Sequence, residues 1–141
     1  MSKLNLDKSW QYSDAPESTS HIILEKKYDL FINGEFIKPN ARKYFNTINP
    51  ATGEVISKIA HANKKDVDLA VKSARKAFKS WSKLASKERG KYIFRIARMI
   101  QERAKEFAVI ESIDGGKPIR ESRDIDIPLA ANHFFYYAGW A

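Results

Sequence analysis

Few residues in this 141-residue sequence have a type and a spacing that could carry out chemistry. The most suggestive is Lys117, which follows Gly115-Gly116 and precedes Pro118. A lysine forms a Schiff base with a carbonyl substrate when desolvation or a neighbouring cation lowers its pKa. Nothing in the sequence around Lys117 would desolvate its ammonium group, so a surface role is favoured over a Schiff-base role.

The sequence contains no cysteine, which excludes disulfides, thiolate metal sites and cysteine nucleophiles within this chain. Its three histidines, His21, His61 and His133, are far apart and lack the spacing of metal ligands. Each is therefore favoured as a surface or packed imidazole. There is also no glycine-rich dinucleotide loop, P-loop or zinc-protease motif. By themselves the residues predict no activity.

Composition limits the class of protein. The sequence is 43% hydrophobic and 30% charged, which is typical of a globular domain. It has no apolar run near the roughly 20 residues of a membrane span and no signal peptide, so we expect a cytoplasmic protein. The net charge of +8 raises the possibility of nucleic-acid binding. Because basic and acidic residues alternate, as in residues 64–68, solvated helix faces are favoured instead.

Two hairpins are the first elements that the pattern predicts. Residues 28–38 contain Asn33-Gly34 between two apolar arms, which is the signature of a type I′ turn. Residues 44–48 and 54–60 predict a second pair of strands, because the latter alternates apolar and polar residues with a period of two.

Helices are predicted to follow. Asn63 is a predicted N-cap for a helix that starts at Lys64 or Lys65 and carries an apolar stripe ending at Trp81. A longer helix is predicted to follow, with Ser86 as its N-cap.

This longer helix is predicted to end at Gly115-Gly116, because glycine tolerates the left-handed conformation and Pro118 cannot continue a helix. Asp126 is the predicted N-cap of a last, aromatic-rich helix that reaches Trp140.

Five motifs occur in a fixed order along the chain: LFINGEF at 30–36, TINPATGEV at 47–55, DVDLAVKSARKAF at 66–78, DGGKP at 114–118 and YYAGWA at 136–141. In order and spacing they closely resemble the N-terminal part of the NAD(P)-dependent aldehyde dehydrogenase superfamily. The resemblance implies an α/β fold with a Rossmann-type cofactor domain. Within it, this chain is expected to form short antiparallel hairpins followed by three or four α-helices. We expect residues 1–27 to be a poorly ordered arm and residues 28–141 to be the N-terminal part of that fold, incomplete at its C-terminus.

The resemblance also implies a reaction. Members of the superfamily oxidise an aldehyde to a carboxylic acid through a cysteine thiolate, transfer hydride to NAD or NADP, and use a glutamate to activate water. In relatives these groups and the dinucleotide-binding glycines lie beyond the last motif. The chain alone is therefore expected to be inactive and to bind no cofactor, whereas the complete enzyme would use NAD or NADP, act on an aldehyde and form a homo-oligomer.

Some site residues can be carried over from the resemblance. In some relatives a monovalent cation is held by oxygens of the residues that match Thr47, Ile48 and Asp114. A role in supporting the strand and the turn is the favoured alternative for them. Leu129 and His133 match or neighbour positions that line the substrate entrance in relatives, and packing against the missing domain is the favoured alternative.

The sequence stops at Ala141, one residue after Trp140, without a polar tail, and we expect a truncated chain. Without a covering sheet, stripes such as Ile93–Ile100–Phe107 and Tyr137–Trp140 would face water, which predicts a marginal, aggregation-prone chain. A second interpretation is a non-catalytic helical module that docks on a partner or on the rest of a split enzyme. An in-frame continuation after Ala141 would distinguish the two. A nucleic-acid binder is a third interpretation, and it predicts an affinity that falls steeply with salt.

Overall fold

A computed structural model of the protein describes residues 18–19 and 22–141. Five short strands come first: β1 (Lys27–Tyr28), β2 (Leu30–Ile32), β3 (Glu35–Ile37), β4 (Tyr44–Ile48) and β5 (Val55–Ala60). They form a three-stranded sheet in the order β1-β5-β4 and a separate two-stranded sheet of β2 and β3. The prediction of a poorly ordered N-terminal arm falls mainly on residues 1–17, 20 and 21, which lie outside the described residues.

The hairpin at Asn33-Gly34 is confirmed. Both turn residues have positive φ, 58° at Asn33 and 85° at Gly34, and β2 and β3 pair antiparallel across them. The predicted extent of its first arm was wrong, because Tyr28 belongs to β1. That strand pairs parallel with β5, a pairing that no local turn signal announces.

The second pair of strands is also confirmed, since β4 and β5 pair antiparallel. Residues just before β1 lie along β5 as well: the Ser57 hydroxyl donates a hydrogen bond to the Glu25 carbonyl (2.7 Å), and Lys58 N donates to the Lys26 carbonyl (3.1 Å). Ser57 is only 3% exposed, so this contact tethers the chain at the entry to the sheet.

Four α-helices of three turns or more follow the strands in the described part of the chain. They are α1 (Lys64–Trp81), α2 (Ser86–Glu102), α3 (Ala104–Gly115) and α5 (Ile127–Ala138). A short helical turn, α4 (Ile119–Glu121), and a π-helical segment (Ser122–Asp126) lie between α3 and α5. This arrangement of strands followed by helices confirms the predicted architecture.

The start of α1 is held by a capping box, as the sequence predicts for Asn63. The Asn63 side chain accepts hydrogen bonds from the amides of Lys65 and Asp66, and the Asp66 carboxylate accepts one from the Asn63 amide (2.9 Å). The same carboxylate accepts a second bond from the Asn40 amide (2.9 Å), on the connection between β3 and β4. Asp66, 4% exposed, therefore ties the first helix to the strands.

The single long helix from Ser86 to Gly115 was a wrong prediction. It is interrupted at Arg103, whose φ of −106° and ψ of 17° are not helical. The guanidinium of Arg103 makes two hydrogen bonds with Glu106 (2.8 and 2.6 Å) on the exposed side. The interruption lets α3 pack against the π-helical segment, and this tertiary contact overrides the continuous helical propensity. Ser86 is the first residue inside α2 and makes no capping bond, so its N-cap role was also wrong.

Asp126 directly precedes α5, but the prediction that its side chain caps this helix was wrong. Asp126 has helical dihedrals (φ −70°, ψ −49°) and makes no side-chain capping bond. The helical path already runs from Ile119, so no free first-turn amides remain to be capped. Pro128 lacks an N–H and would break an α-helical hydrogen bond in this continuous run, and the π-helical turns lie directly before it.

The core is small and made of small side chains. Ala97 on α2, Ala108 and Val109 on α3, and Ala131 on α5 are each 2% exposed or less. The largest contact between elements joins α2 and α5, and Gly90 lies in it. A Cβ at Gly90 would stand 2.6 Å from the carbonyl oxygen of Ala138, so only glycine allows this approach.

Many large apolar side chains remain exposed. On α1 the predicted stripe exists, but Val67, Phe78 and Trp81 are 55%, 64% and 37% exposed. At the end of α5, Tyr137 and Trp140 are 60% and 74% exposed, as the sequence predicts. The stripe on α2 is better covered than predicted, because α5 packs on it. None of the described helices is both long enough and apolar enough to cross a membrane.

Candidate functional site

The strands and helices bring together two of the three residues that the sequence predicts as cation ligands. The Thr47 hydroxyl, on β4, donates a hydrogen bond to the Asp114 carboxylate near the end of α3. These residues are 67 positions apart in the chain. Ile48 follows directly, where the pairing of β4 with β5 shifts register, and its side chain is 50% exposed.

A tight contact fixes this junction. Gly116 caps α3 in the left-handed conformation with φ of 69°, which confirms the predicted helix end. A Cβ on Gly116 would stand 2.6 Å from Cγ of Pro50, in the turn after β4. The turn and the helix end therefore touch at a residue without a side chain, and this contact holds the Asp114 carboxylate beside Thr47. Oxygen ligands of this kind suit a hard cation.

Lys117 makes an ion pair that the sequence analysis missed. Its ammonium donates a hydrogen bond to the Asp126 carboxylate, and the Ser112 hydroxyl donates to the Lys117 carbonyl (2.7 Å). The hydrogen bond that the Lys117 ammonium donates to Asp126 raises the pKa of Lys117 above its usual value. A raised pKa keeps the amine protonated, which is the opposite of what a Schiff-base lysine needs. The available signal was the pair of opposite charges nine residues apart around a Gly-Gly-Lys-Pro turn.

Replacing Lys117 by methionine is expected to change how stability responds to alkaline pH. Because the folded pKa lies above the unfolded value of about 10.4, the ammonium contributes fully below that pH, and its contribution is lost as pH rises through the folded pKa. The difference in unfolding free energy between the native chain and Lys117→Met should therefore shrink at high pH. Chemical denaturation over an alkaline pH series measures it.

Tyr44→Phe is the matched control for this prediction. The pKa of Tyr44 is also raised, because its hydroxyl donates a hydrogen bond to Asp29 (2.6 Å). This variant removes a different alkaline contribution and should leave the Lys117 contribution intact. A Lys117→Met effect that stays constant across the alkaline range would contradict the prediction.

The predicted substrate-entrance residues share one face of α5. Leu129 and His133 are one helical turn apart and both are exposed, Leu129 to 48%. His61 is also exposed and packs edge-on against Phe45 (6.3 Å between ring centroids). In residues 18–19 and 22–141 there is no group of three histidine or acidic side chains arranged to hold a metal ion.

Comparison with known proteins decides the family. The model of the aldehyde dehydrogenase family matches residues 36–141, three quarters of the sequence. The chain belongs to the aldehyde dehydrogenase family. The resemblance seen in its motifs is thereby confirmed.

Several aldehyde dehydrogenases show how much of the family fold is present. An aldehyde dehydrogenase of Vibrio cholerae serotype O1 is 38% identical over 120 residues, which is 85% of this chain and 24% of the relative. The structure of an aldehyde dehydrogenase from Bacillus cereus in complex with NAD+ is 40% identical, with a TM-score of 0.78 over 81% of this chain and 24% of that chain. PnpE from Pseudomonas sp. WBC-3 is 39% identical, with a TM-score of 0.79 over 81% and 23%.

The aldehyde dehydrogenase family fold is thus confirmed for this chain, which spans about a quarter of the length of the relatives it matches. The exposed apolar faces of α1 and α5 are consistent with this partial coverage of the relatives' length, because most of the family fold is not among these 141 residues. The small alanine-rich core follows from the same fact.

Proposed function

We propose that these 141 residues supply the N-terminal quarter of an NAD(P)-dependent aldehyde dehydrogenase that oxidises an aldehyde to a carboxylic acid. The observation that carries the proposal is the family match at residues 36–141 together with the order of the motifs. In this proposal residues 28–141 form the scaffold, residues 1–27 are an additional arm, and the complete enzyme binds NAD or NADP and is a homo-oligomer.

The isolated chain is proposed to be inactive. It has no cysteine to form the thiolate that attacks the aldehyde. Lys117, its most suggestive nucleophile, is held protonated by Asp126. The role of this chain is then to pack against and position the part of the enzyme that binds cofactor and substrate.

Two measurements test this proposal. The purified 141-residue chain, mixed with NAD+ or NADP+ and a panel of aldehydes, should produce no NADH or NADPH above the blank. A chimera in which residues 36–141 replace the matching segment of the Vibrio cholerae relative should be folded and should oxidise aldehyde. Reduced cofactor formed by the chain alone would overturn the inactivity, and a folded but inactive chimera would overturn the scaffold role.

Thr47, Ile48 and Asp114 are proposed to hold a monovalent cation, with the Thr47 and Asp114 oxygens already adjacent. The chimera should unfold at a higher temperature in potassium or sodium chloride than in tetramethylammonium chloride of equal ionic strength. A cation at ten times its dissociation constant would add about 1.4 kcal/mol.

Asp114→Asn should abolish this difference between salts, whereas Asp68→Asn, an exposed carboxylate on α1, should preserve it. Equal unfolding temperatures of the native chimera in all three salts would count against the cation site. Leu129 and His133 are likewise proposed to line the substrate entrance. The support for this role is that both side chains are exposed on one face of α5.

A second candidate function is a non-catalytic module that docks on a partner. The exposed aromatic end of α5 favours it, where the Tyr136 ring contacts those of Tyr137 and Trp140 (ring centroids 5.2 and 6.0 Å apart). Under this interpretation residues 36–141 would let the chimera fold but would not support aldehyde oxidation, and the chain would function outside a dehydrogenase.

A further inference from the structure

A groove of about 1110 Å³ runs along α2 where the end of α5 crosses it. We refer to it as the basic groove, because four cations line it on the α2 side: Lys87, Lys91, Arg95 and Arg98. Their spacing of four, four and three residues places them along one face of the helix. From the first to the last they span about 16 Å, or about three helical turns.

The charges of the basic groove are only half balanced. Lys91 pairs with Glu88 (2.8 Å) and Arg98 with Glu102 (3.6 Å). In the described part of the chain, neither Lys87 nor Arg95 has a carboxylate oxygen within 4.0 Å. The groove therefore carries an excess of positive charge beside a low-dielectric wall, which strengthens attraction to an anionic partner.

The same groove has an apolar lining that is not covered. Phe94 and Met99 on α2 are 52% and 50% exposed, and Phe94 stacks edge-on against Phe135 of α5 (4.9 Å between centroids). Gly90 lies where α2 and α5 meet, so the backbone at Ala138 closes one side of the groove. Apolar surface beside unpaired cations fits a partner that is both apolar and acidic.

We propose that the basic groove is the docking surface for an acidic, amphipathic helix that belongs to the remaining three quarters of the aldehyde dehydrogenase fold. The inference rests on the proposed function for the source of this helix. Two observations select the occupant: the excess of positive charge requires carboxylates, and the chain spans only 24% of its Vibrio cholerae relative. About three turns of partner helix match the length of the row of cations.

Charge reversal in the chimera with the Vibrio cholerae relative tests whether the docked helix belongs to the rest of the aldehyde dehydrogenase fold. The double variant Lys87→Glu and Arg95→Glu should lower the unfolding temperature of the chimera by several degrees, since attraction becomes repulsion across the groove. Lys72→Glu with Lys105→Glu is the matched control, because it makes the same change in net charge at exposed positions outside the groove. Equal effects of the two pairs would overturn the proposal.

The same two pairs in the isolated 141-residue chain separate docking from folding. Neither pair should alter its helical circular dichroism, since the docked helix is absent there. Loss of helix with the groove pair alone would assign the effect to local folding and overturn the proposal.

A peptide experiment tests the chemistry. The probe is a designed amphipathic helix of about three turns with glutamates beside a leucine stripe, and its control carries lysines at the glutamate positions. The native chain should bind the glutamate peptide at least about tenfold more tightly (1.4 kcal/mol), and salt should weaken that binding. The charge-reversed chain should prefer the lysine peptide.

Equal affinity for both peptides, or binding of neither, would overturn the proposed chemistry. Selective peptide binding without any effect of charge reversal in the chimera would overturn the proposed source and indicate a separate partner. Aldehyde oxidation by the unmodified chimera is measured independently, so failure of the docking inference and failure of the proposed function give different results.

Discussion

Replacing Asp66 by alanine should lower the free energy of unfolding by about 3 kcal/mol, the largest effect that we expect from one side chain. The carboxylate is buried and accepts two backbone hydrogen bonds, from Asn63 on its own helix and from Asn40 on the strand connection (both 2.9 Å). Alanine would leave both amides without this partner and would remove half of the capping box. Against a typical total of about 5–15 kcal/mol, the loss is severe.

Chemical denaturation followed by helical circular dichroism measures this effect. Asp68→Ala is the control, since Asp68 lies two residues further along α1 and is exposed; it should change stability by less than about 0.5 kcal/mol. Asp66→Asn retains one acceptor oxygen and should give an intermediate loss. If Asp66→Ala and Asp68→Ala prove equally mild, the contact does not stabilise the start of α1.

Gly90→Ala should destabilise the chain even though alanine is the better helix former. Alanine gains up to about 1 kcal/mol of helical propensity over glycine in a helix interior. Its Cβ would however meet the Ala138 carbonyl oxygen at 2.6 Å, and overpacking of this kind costs about 1–3 kcal/mol. The clash involves backbone, which cannot rotate away, so we expect a net loss of about 1–2 kcal/mol.

Gly115→Ala is the matched substitution for this prediction. Gly115 is also a helical glycine, the last residue of α3, but nothing lies within 4 Å of a Cβ built there. Alanine should therefore be neutral or slightly stabilising at this position. Denaturation curves for both variants give the comparison, and a Gly90→Ala variant as stable as the native chain would mean that α2 and α5 separate without cost.

Local chemistry made some elements predictable from sequence. Asn33-Gly34 and Gly116 need positive φ, and Asn63 has a side chain that caps a helix, so each signal lies within a few residues. The five motifs also identified the family from the sequence alone, because their order and spacing can be read directly from it. The family fold could thus be predicted, together with most strands and the first helix.

The features that sequence reasoning missed depend on contacts between distant segments. The break at Arg103 serves packing of α3 on the π-helical segment, and the parallel pairing of β1 with β5 joins residues about 30 positions apart. For the candidate cation site, sequence resemblance named Thr47 and Asp114, but only the fold shows that they touch. The Lys117–Asp126 pair escaped prediction because the Asp126 carboxylate was assigned to capping α5, a bond that it does not make.

The π-helical segment at 122–126 has a geometric consequence for everything after it. A π turn holds one more residue than an α turn within about the same rotation, so this segment absorbs one residue without changing the angular phase of α5 about its axis. Deleting one residue there would restore a regular α-helix and leave Ala131 in the core and Phe135 against Phe94. A deletion within α5 ahead of Ala131, where no wide turn absorbs it, would instead rotate the rest of the helix by about 100°. The direction of the aromatic face of α5 therefore tolerates a change of length at this segment but not beyond it.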